Sequence, residues 1–199
     1  MATSQKVSYQ VVSEERSLEE KFSLPYLPKR TLQWVGGVSG GMLADITDRI
    51  QSLIIEDATE PINLIVTSHG GPTGIGMSFY DSMRSVFKPI LNTVGSGDVD
   101  SSGIIIFLTG EKRFLTPNTT LLLHLAGRTF DTPKRLTTPE MESIIKEDKL
   151  KDFQYASVIA DRSNGRLNVQ TVLDLMANNT VLTPSDAVEL GIAHAILQD

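Results

Sequence analysis

Residues 62 to 76, INLIVTSHGGPTGIG, set an apolar run against a glycine-rich turn, and residues 90 to 110, ILNTVGSGDVDSSGIIIFLTG, repeat that order in different letters. In each, a buried strand (Ile62 to Thr67, Ile90 to Val94) ends at a Gly/Ser turn and a helical pattern follows. After the first turn Ile75, Phe79, Met83 and Val86 recur at three- and four-residue spacings; after the second comes a short apolar helix, Ser102 to Leu108. The same unit precedes both. TLQWV (31 to 35) reads as a strand, Gly36 and Gly37 turn the chain, and Leu43, Ile46, Ile50, Leu53 and Ile54 form one stripe of a helix. Three consecutive strand-turn-helix units imply right-handed crossovers and a largely parallel sheet, which predicts an α/β fold.

Working outward, Gly110 reads as a left-handed stop to the short helix. RFL (113 to 115) and TLLLHL (120 to 125) read as short strands on either side of a Pro117-Asn118 turn, with His124 near a strand end. Thr138 as N-cap and Pro139 at the first helical position open a long helix carrying Met141, Ile145, Phe153 and Ile159, expected to project from the body. Asn168 caps a helix running to Met176. Thr183, Pro184 and Asp186 open a last helix, stopped by Gly191, before a closing strand from Ile192 to Ile196. Residues 1 to 30, charged and broken by Pro25 and Pro28, read as an N-terminal arm to a single domain spanning 31 to 199.

The chain has 199 residues, 40% hydrophobic and 21% charged, the balance of one folded domain rather than a disordered or fibrous chain. Its 18 basic residues are scattered and the net charge is −6, so no nucleic-acid footprint is expected. The longest apolar run, Ile104 to Leu108, is far short of a membrane span, and the acidic N-terminus lacks a signal-peptide core; a cytoplasmic setting is expected. With no cysteine, thiol nucleophiles and thiolate zinc sites are excluded. His69, His124 and His194 lie far apart without metal-ligand spacing, so neither a metal nor another cofactor is expected. Hydrolytic chemistry here must use an oxygen nucleophile.

Two turns and one histidine could carry such chemistry. SHGGPTGIG (68 to 76) can aim backbone N–H groups at an anion. It lacks the GxGxxG order of a dinucleotide site, whereas an oxyanion needs only one or two such donors. GSGDVDSSG (95 to 103) places Ser101 and Ser102 at a strand-helix junction, as nucleophile or as plain N-caps. His124, after three leucines, fits a general base or a packed core histidine.

Taken together, Ser68-His69-Gly70-Gly71, Tyr80-Asp81, Gly97 to Gly103, Lys112-Arg113, Pro117-Asn118, Leu122-Leu123-His124 and TPSDAVELG (183 to 191) resemble the ordered motifs of the Clp protease proteolytic subunit, within the ClpP/crotonase fold. The resemblance runs from about Thr31 to Leu197. It implies repeated strand-turn-helix units with a projecting handle helix, and a serine endopeptidase with Ser101 as nucleophile (Ser102 its neighbouring alternative) and His124 as base. The backbone N–H groups of Gly70 or Gly71 and of Ser102 fall on the oxyanion hole. It also implies a homo-oligomer of heptameric rings that receives unfolded protein from an AAA+ ATPase unfoldase.

Three departures stand out: His69 replaces a proline, Asp98 and Asp100 flank the serine, and the family's third catalytic residue falls on Leu175. Asp174 is the acidic candidate beside it, with Asn178 and Asn179 as neutral ones. Two other readings follow: a ring subunit with a structural role and little or no activity, and a crotonase-type enzyme acting on acyl-CoA thioesters.

Overall fold

The computed structural model describes residue 24, residues 27–130 and residues 132–197. Nearly all of the expected N-terminal arm lies outside these residues. Five parallel strands form the main sheet in the order β1 (Thr31–Val35), β2 (Ile62–Ser68), β3 (Leu91–Val99), β4 (Lys112–Leu115) and β7 (Ala195–Ile196). Helices α1 (Gly40–Glu56), α2 (Thr73–Asp81) and α3 (Ser102–Leu108) make the crossovers, and α2 packs against both of the others. A mixed α/β fold on a parallel sheet is therefore what the chain adopts.

The helix α1 begins where Ser39 accepts the Met42 N–H at 3.3 Å, and it buries Ile46 and Ile50 against the sheet. Trp34 meets Phe79 edge to face beneath it, centroids 5.2 Å apart. Every residue of α3 is buried. A helix apolar all round belongs in the middle of a protein, and this burial overrides the modest helix propensity of three successive isoleucines. Below α2, a π-helical segment, Ser82–Phe87, widens the helix end before β3.

Several sequence expectations need adjustment. Gly110 is not in a left-handed conformation: its φ is not positive, and its lack of a Cβ instead lets Thr93 approach, whose backbone nitrogen would lie 2.8 Å from an added methyl. The long helix α4 (Thr138–Arg162) is capped by Thr137, one residue earlier than expected, with Glu140 closing a capping box. Its outer half does project, leaving Met141, Ile145, Leu150 and Phe153 exposed. Its inner half, including Tyr155 and Ile159, is buried in the core. The helices α5 (Val169–Ala177), capped by Asn168, and α6 (Pro184–Glu189), capped by Thr183, follow as expected. The closing strand shrinks to Ala195–Ile196. A second, antiparallel sheet pairs β5 (Leu121–Leu123) with β6 (Thr180–Leu182).

Beside the short β4–β7 ladder, the Arg113 side chain also holds the C-terminal segment. Its buried guanidinium donates to the carbonyls of Ile192 at 2.7 Å, Arg162 at 2.8 Å, Gly191 at 3.2 Å and Gly110 at 3.3 Å. Burial, reinforced by the nearby Arg162 charge, lowers its pKa to about 9. The Arg113 N–H donates to His194 Nδ1 at 2.9 Å. Burial first, then the charges of Arg113, Arg162 and Lys112, push His194 down from 6.5 to about 4.

The unfolded chain takes up a proton at His194 between pH 6.5 and 4 and the folded chain does not, so stability is full above that window and falls as pH drops through it. Urea midpoints of the wild type should decline across this range. His194→Asn, whose Oδ1 can accept from the Arg113 N–H, should flatten the decline.

Candidate active site

Two turns meet at the carboxyl edge of the sheet. β2 ends at Ser68 and passes through His69, Gly70 and Gly71 into α2; β3 ends at Val99 and passes through Asp100 and Ser101 into α3. The Asp100 N–H donates to the Ser68 carbonyl at 2.8 Å, lacing the turns together. Gly70, with φ +90°, lies against the Ser101 side chain so closely that a methyl on it would sit 2.6 Å from Ser101 Cβ and 3.1 Å from its Oγ. Ser101 has φ 54° and ψ −124°, a conformation rare for a residue with a side chain. A serine strained at a strand-to-helix turn, with its neighbour's N–H at a helix start, is the geometry of a nucleophile elbow.

The two candidate serines differ sharply. Ser102 is fully buried and its hydroxyl donates to the Gly71 carbonyl at 2.6 Å. The Ser101 hydroxyl makes no hydrogen bond among the described residues. Beneath Ser102 lies Tyr155 of α4, which sequence reasoning did not single out. Its hydroxyl would be 3.2 Å from a methyl on Gly76, and burial pushes its pKa up to about 12, with Ser102 pulling the other way.

The donors also separate. The Gly70 N–H is spent on Ser68 Oγ at 3.2 Å, whereas the N–H groups of Gly71 and Ser102 have no acceptor among the described residues. Val38, in the loop after β1, donates to the Gly70 carbonyl at 2.9 Å. In a planar trans peptide this turns the Gly71 N–H to the opposite side from Val38.

The segment carrying His124 is tied to the edge of β3. The Val99 N–H donates to the Thr120 carbonyl at 2.9 Å, that of Thr120 to Gly97 at 3.0 Å, and that of Ser101 to Leu122 at 2.9 Å. The rung closes through a side chain: the Leu122 N–H donates to Asp100 Oδ1 at 2.9 Å. His124 therefore stands two residues beyond the rung at Ser101, half-buried, with Nδ1 2.7 Å from the Leu125 carbonyl. A carbonyl only accepts, so Nδ1 carries the proton and Nε2 is left as the basic nitrogen. No hydrogen bond links His124 to Ser101 in this arrangement.

The three candidates for the third residue lie at the end of α5 and just beyond it. Asp174, exposed on α5, accepts from Gln170 Nε2 at 2.9 Å, and its own carbonyl takes the Asn178 side chain at 2.7 Å. Asn178 and Asn179 are also exposed. Continuing the β5–β6 register by one step from the Leu123–Thr180 pair sets Asn179 opposite His124, but Asn179 has φ 49° and leaves the strand. Two carboxylates bond the backbone on either side of His124: Asp100 takes the Leu122 N–H at 2.9 Å and Asp152 takes the Ala126 N–H at 2.7 Å. His69, the other departure, is exposed, and its ring packs on Gly37, where a methyl would lie 3.2 Å from Cε1. Among the described residues no three His, Asp or Glu side chains gather into a set that could hold a metal ion, and no helix is long and apolar enough to cross a membrane.

The sequence profile of the Clp protease family matches residues 18–199. The chain belongs to the Clp protease family. Among curated members it is 37% identical over 106 residues to ATP-dependent Clp protease proteolytic subunit 2 of Tropheryma whipplei (strain Twist), an alignment covering 51% of this chain and 58% of that one. The match thus spans less than two-thirds of that relative. Among solved structures, a point mutant of ClpP1 from Listeria monocytogenes superposes with a TM-score of 0.75 over 86% of this chain and 92% of that one, at 24% identity. That likeness establishes the ClpP fold. Hydrolase and peptidase are the terms that family membership carries.

Backbone strain at Ser101 has a measurable consequence. Ser101→Gly should raise the thermal midpoint relative to Ser101→Ala, by the equivalent of about 1 kcal/mol, because glycine accepts this φ. Gly70→Ala, which combines a positive φ with a clash on Ser101, should lower stability by about 2 kcal/mol or more.

Proposed function

We propose that this member of the Clp protease family is a serine endopeptidase in which Ser101 is the nucleophile and His124 the general base. The observation that carries the reading is the strained Ser101 turn, whose free hydroxyl lies against Gly70 beside the unsatisfied N–H groups of Gly71 and Ser102. His124 Nε2 takes the Ser101 proton as Oγ attacks the peptide carbonyl, the carbonyl oxygen becomes an oxyanion held by the two N–H groups, and the protonated histidine then gives its proton to the departing amine. Water repeats the sequence on the acyl-enzyme. Gly71 is favoured over Gly70 as donor because the Gly70 N–H is already engaged by Ser68.

In the conformation described, the tautomer of His124 is held by the Leu125 carbonyl, and Asp174 enters only through a rearrangement at the end of α5 that frees it from Gln170. The missing Ser101–His124 hydrogen bond favours a second reading, a ring subunit with a structural role. A crotonase-type acyl-CoA enzyme is less well supported, since it leaves the strain at Ser101 and the placement of His124 without purpose.

Family resemblance extends the proposal to the assembly: heptameric rings of this chain, served by an AAA+ ATPase unfoldase, with unfolded protein as substrate. The exposed Met141, Ile145, Leu150 and Phe153 on the outer half of α4 give a second copy an apolar surface to cover.

Hydrolysis of fluorogenic peptides tests the chemistry. Ser101→Ala should lose at least about 10³-fold in kcat, whereas Ser102→Ala, which loses only the bond to the Gly71 carbonyl, should keep activity within about tenfold. Equal activity of Ser101→Ala and the wild type would refute the assignment. Cleavage absent from a wild type that forms rings in light scattering would favour the structural subunit.

A further inference from the structure

We propose that Asp100 is a positioning residue of the site: its carboxylate ties the His124 strand to the nucleophile turn and supplies the negative charge that the protonated His124 needs during turnover. This rests on the reading of Ser101 and His124 as nucleophile and base.

The rung between the Ser101 turn and β5 is half backbone and half side chain. The Ser101 N–H donates to the Leu122 carbonyl, and the Leu122 N–H is answered by Asp100 Oδ1. Without that carboxylate the Leu122 donor would lose its partner, and at the Ser101 turn the strand that leads to His124 would keep only the bond from the Ser101 N–H. The bond fixes the Asp100 carboxylate at the Leu122 N–H, one residue before the end of β5 and two before His124.

The surroundings on balance disfavour this charge. Asp100 is raised above its ordinary value, chiefly by burial and further by Asp98, while the Leu122 N–H and the histidines His124 and His69 pull it down. The other charged groups near this strand are already engaged. Asp98 accepts from the Thr120 hydroxyl at 3.2 Å, and Asp152 of α4 takes the Ala126 N–H at 2.7 Å. A carboxylate next to the nucleophile would oppose a developing oxyanion if it faced the Gly71 and Ser102 donors. Its hydrogen bond faces it toward β5 instead.

Replacing the carboxylate by an amide separates the two roles. Asp100→Asn retains an oxygen acceptor for Leu122 and loses the charge; Asp100→Ala loses both. On a fluorogenic peptide, Asp100→Asn should lower kcat at least about tenfold with KM within twofold, less than the roughly 10⁴-fold loss of a hydrogen-bonded triad aspartate. The acid limb of its kcat/KM profile should also move. Asp100→Ala should fall further, and Asp174→Asn should match the wild type. Amide exchange at Leu122 reads the tether without any need for activity: protected in the wild type and Asp100→Asn, accelerated in Asp100→Ala. A profile for Asp100→Asn that superimposes on the wild type, or a loss produced by Asp174→Asn instead, would overturn the charge role, and equal Leu122 exchange in all three proteins would overturn the tether. If Ser101→Ala cleaves as fast as the wild type, the nucleophile reading and the charge role fall together, while the exchange result still decides the tether.

Discussion

Everything at this site depends on the contact between Gly70 and Ser101. Two parallel strands, β2 and β3, each end in a turn at the same edge of the sheet, and their turns are laced by the Asp100 N–H to the Ser68 carbonyl. At that spacing no side chain fits on the first turn, so it must be glycine. The second must lift a hydroxyl out of the sheet edge, which forces Ser101 to a positive φ at a cost of about 1–3 kcal/mol. The surrounding fold holds that strain in place, with α3 buried behind Ser101 and Val38 fixing the plane of the Gly70–Gly71 peptide.

The core and the C-terminal segment are joined by a second unusual device. Arg113 carries a positive charge into the interior and gives its guanidinium to backbone carbonyls, gathering the ends of α3, α4 and α6 around one planar group. Guanidinium spreads five donors over one plane, enough for these four carbonyls, where a compact ammonium has three, so arginine and not lysine suits the position. Burial, with the Arg113 charge second, keeps the neighbouring His194 neutral.

Much of this is legible in the sequence because it is local. Strand-turn-helix order, the capping residues Asn168 and Thr183, and the two glycine/serine turns all follow from spacings of a few residues. Gly110 misleads because its glycine answers a distant neighbour, Thr93, and not its own helix end. Half of α4 misleads for a similar reason: Tyr155 and Ile159 are buried by contacts that the helical spacing does not reveal. The acid expected beside His124 is the clearest case. Counting along α5 lands on Leu175 with Asp174 one residue away, but a helix turns roughly 100° per residue and a count cannot say which way a carboxylate faces. In the sequence Asp100 is visible only as an oddity beside the serine. Its contact with β5 emerges once its carboxylate is seen to take the Leu122 N–H as a rung.

The central claim is that the chain has built a strained, reactive serine at residue 101 and not at residue 102. The most direct measurement is to react the wild-type protein with a fluorophosphonate and locate the adduct by peptide mapping. The account predicts a single phosphonyl group on Ser101, with the buried Ser102 untouched; an adduct on Ser102, or none on a protein that is otherwise folded, would contradict it.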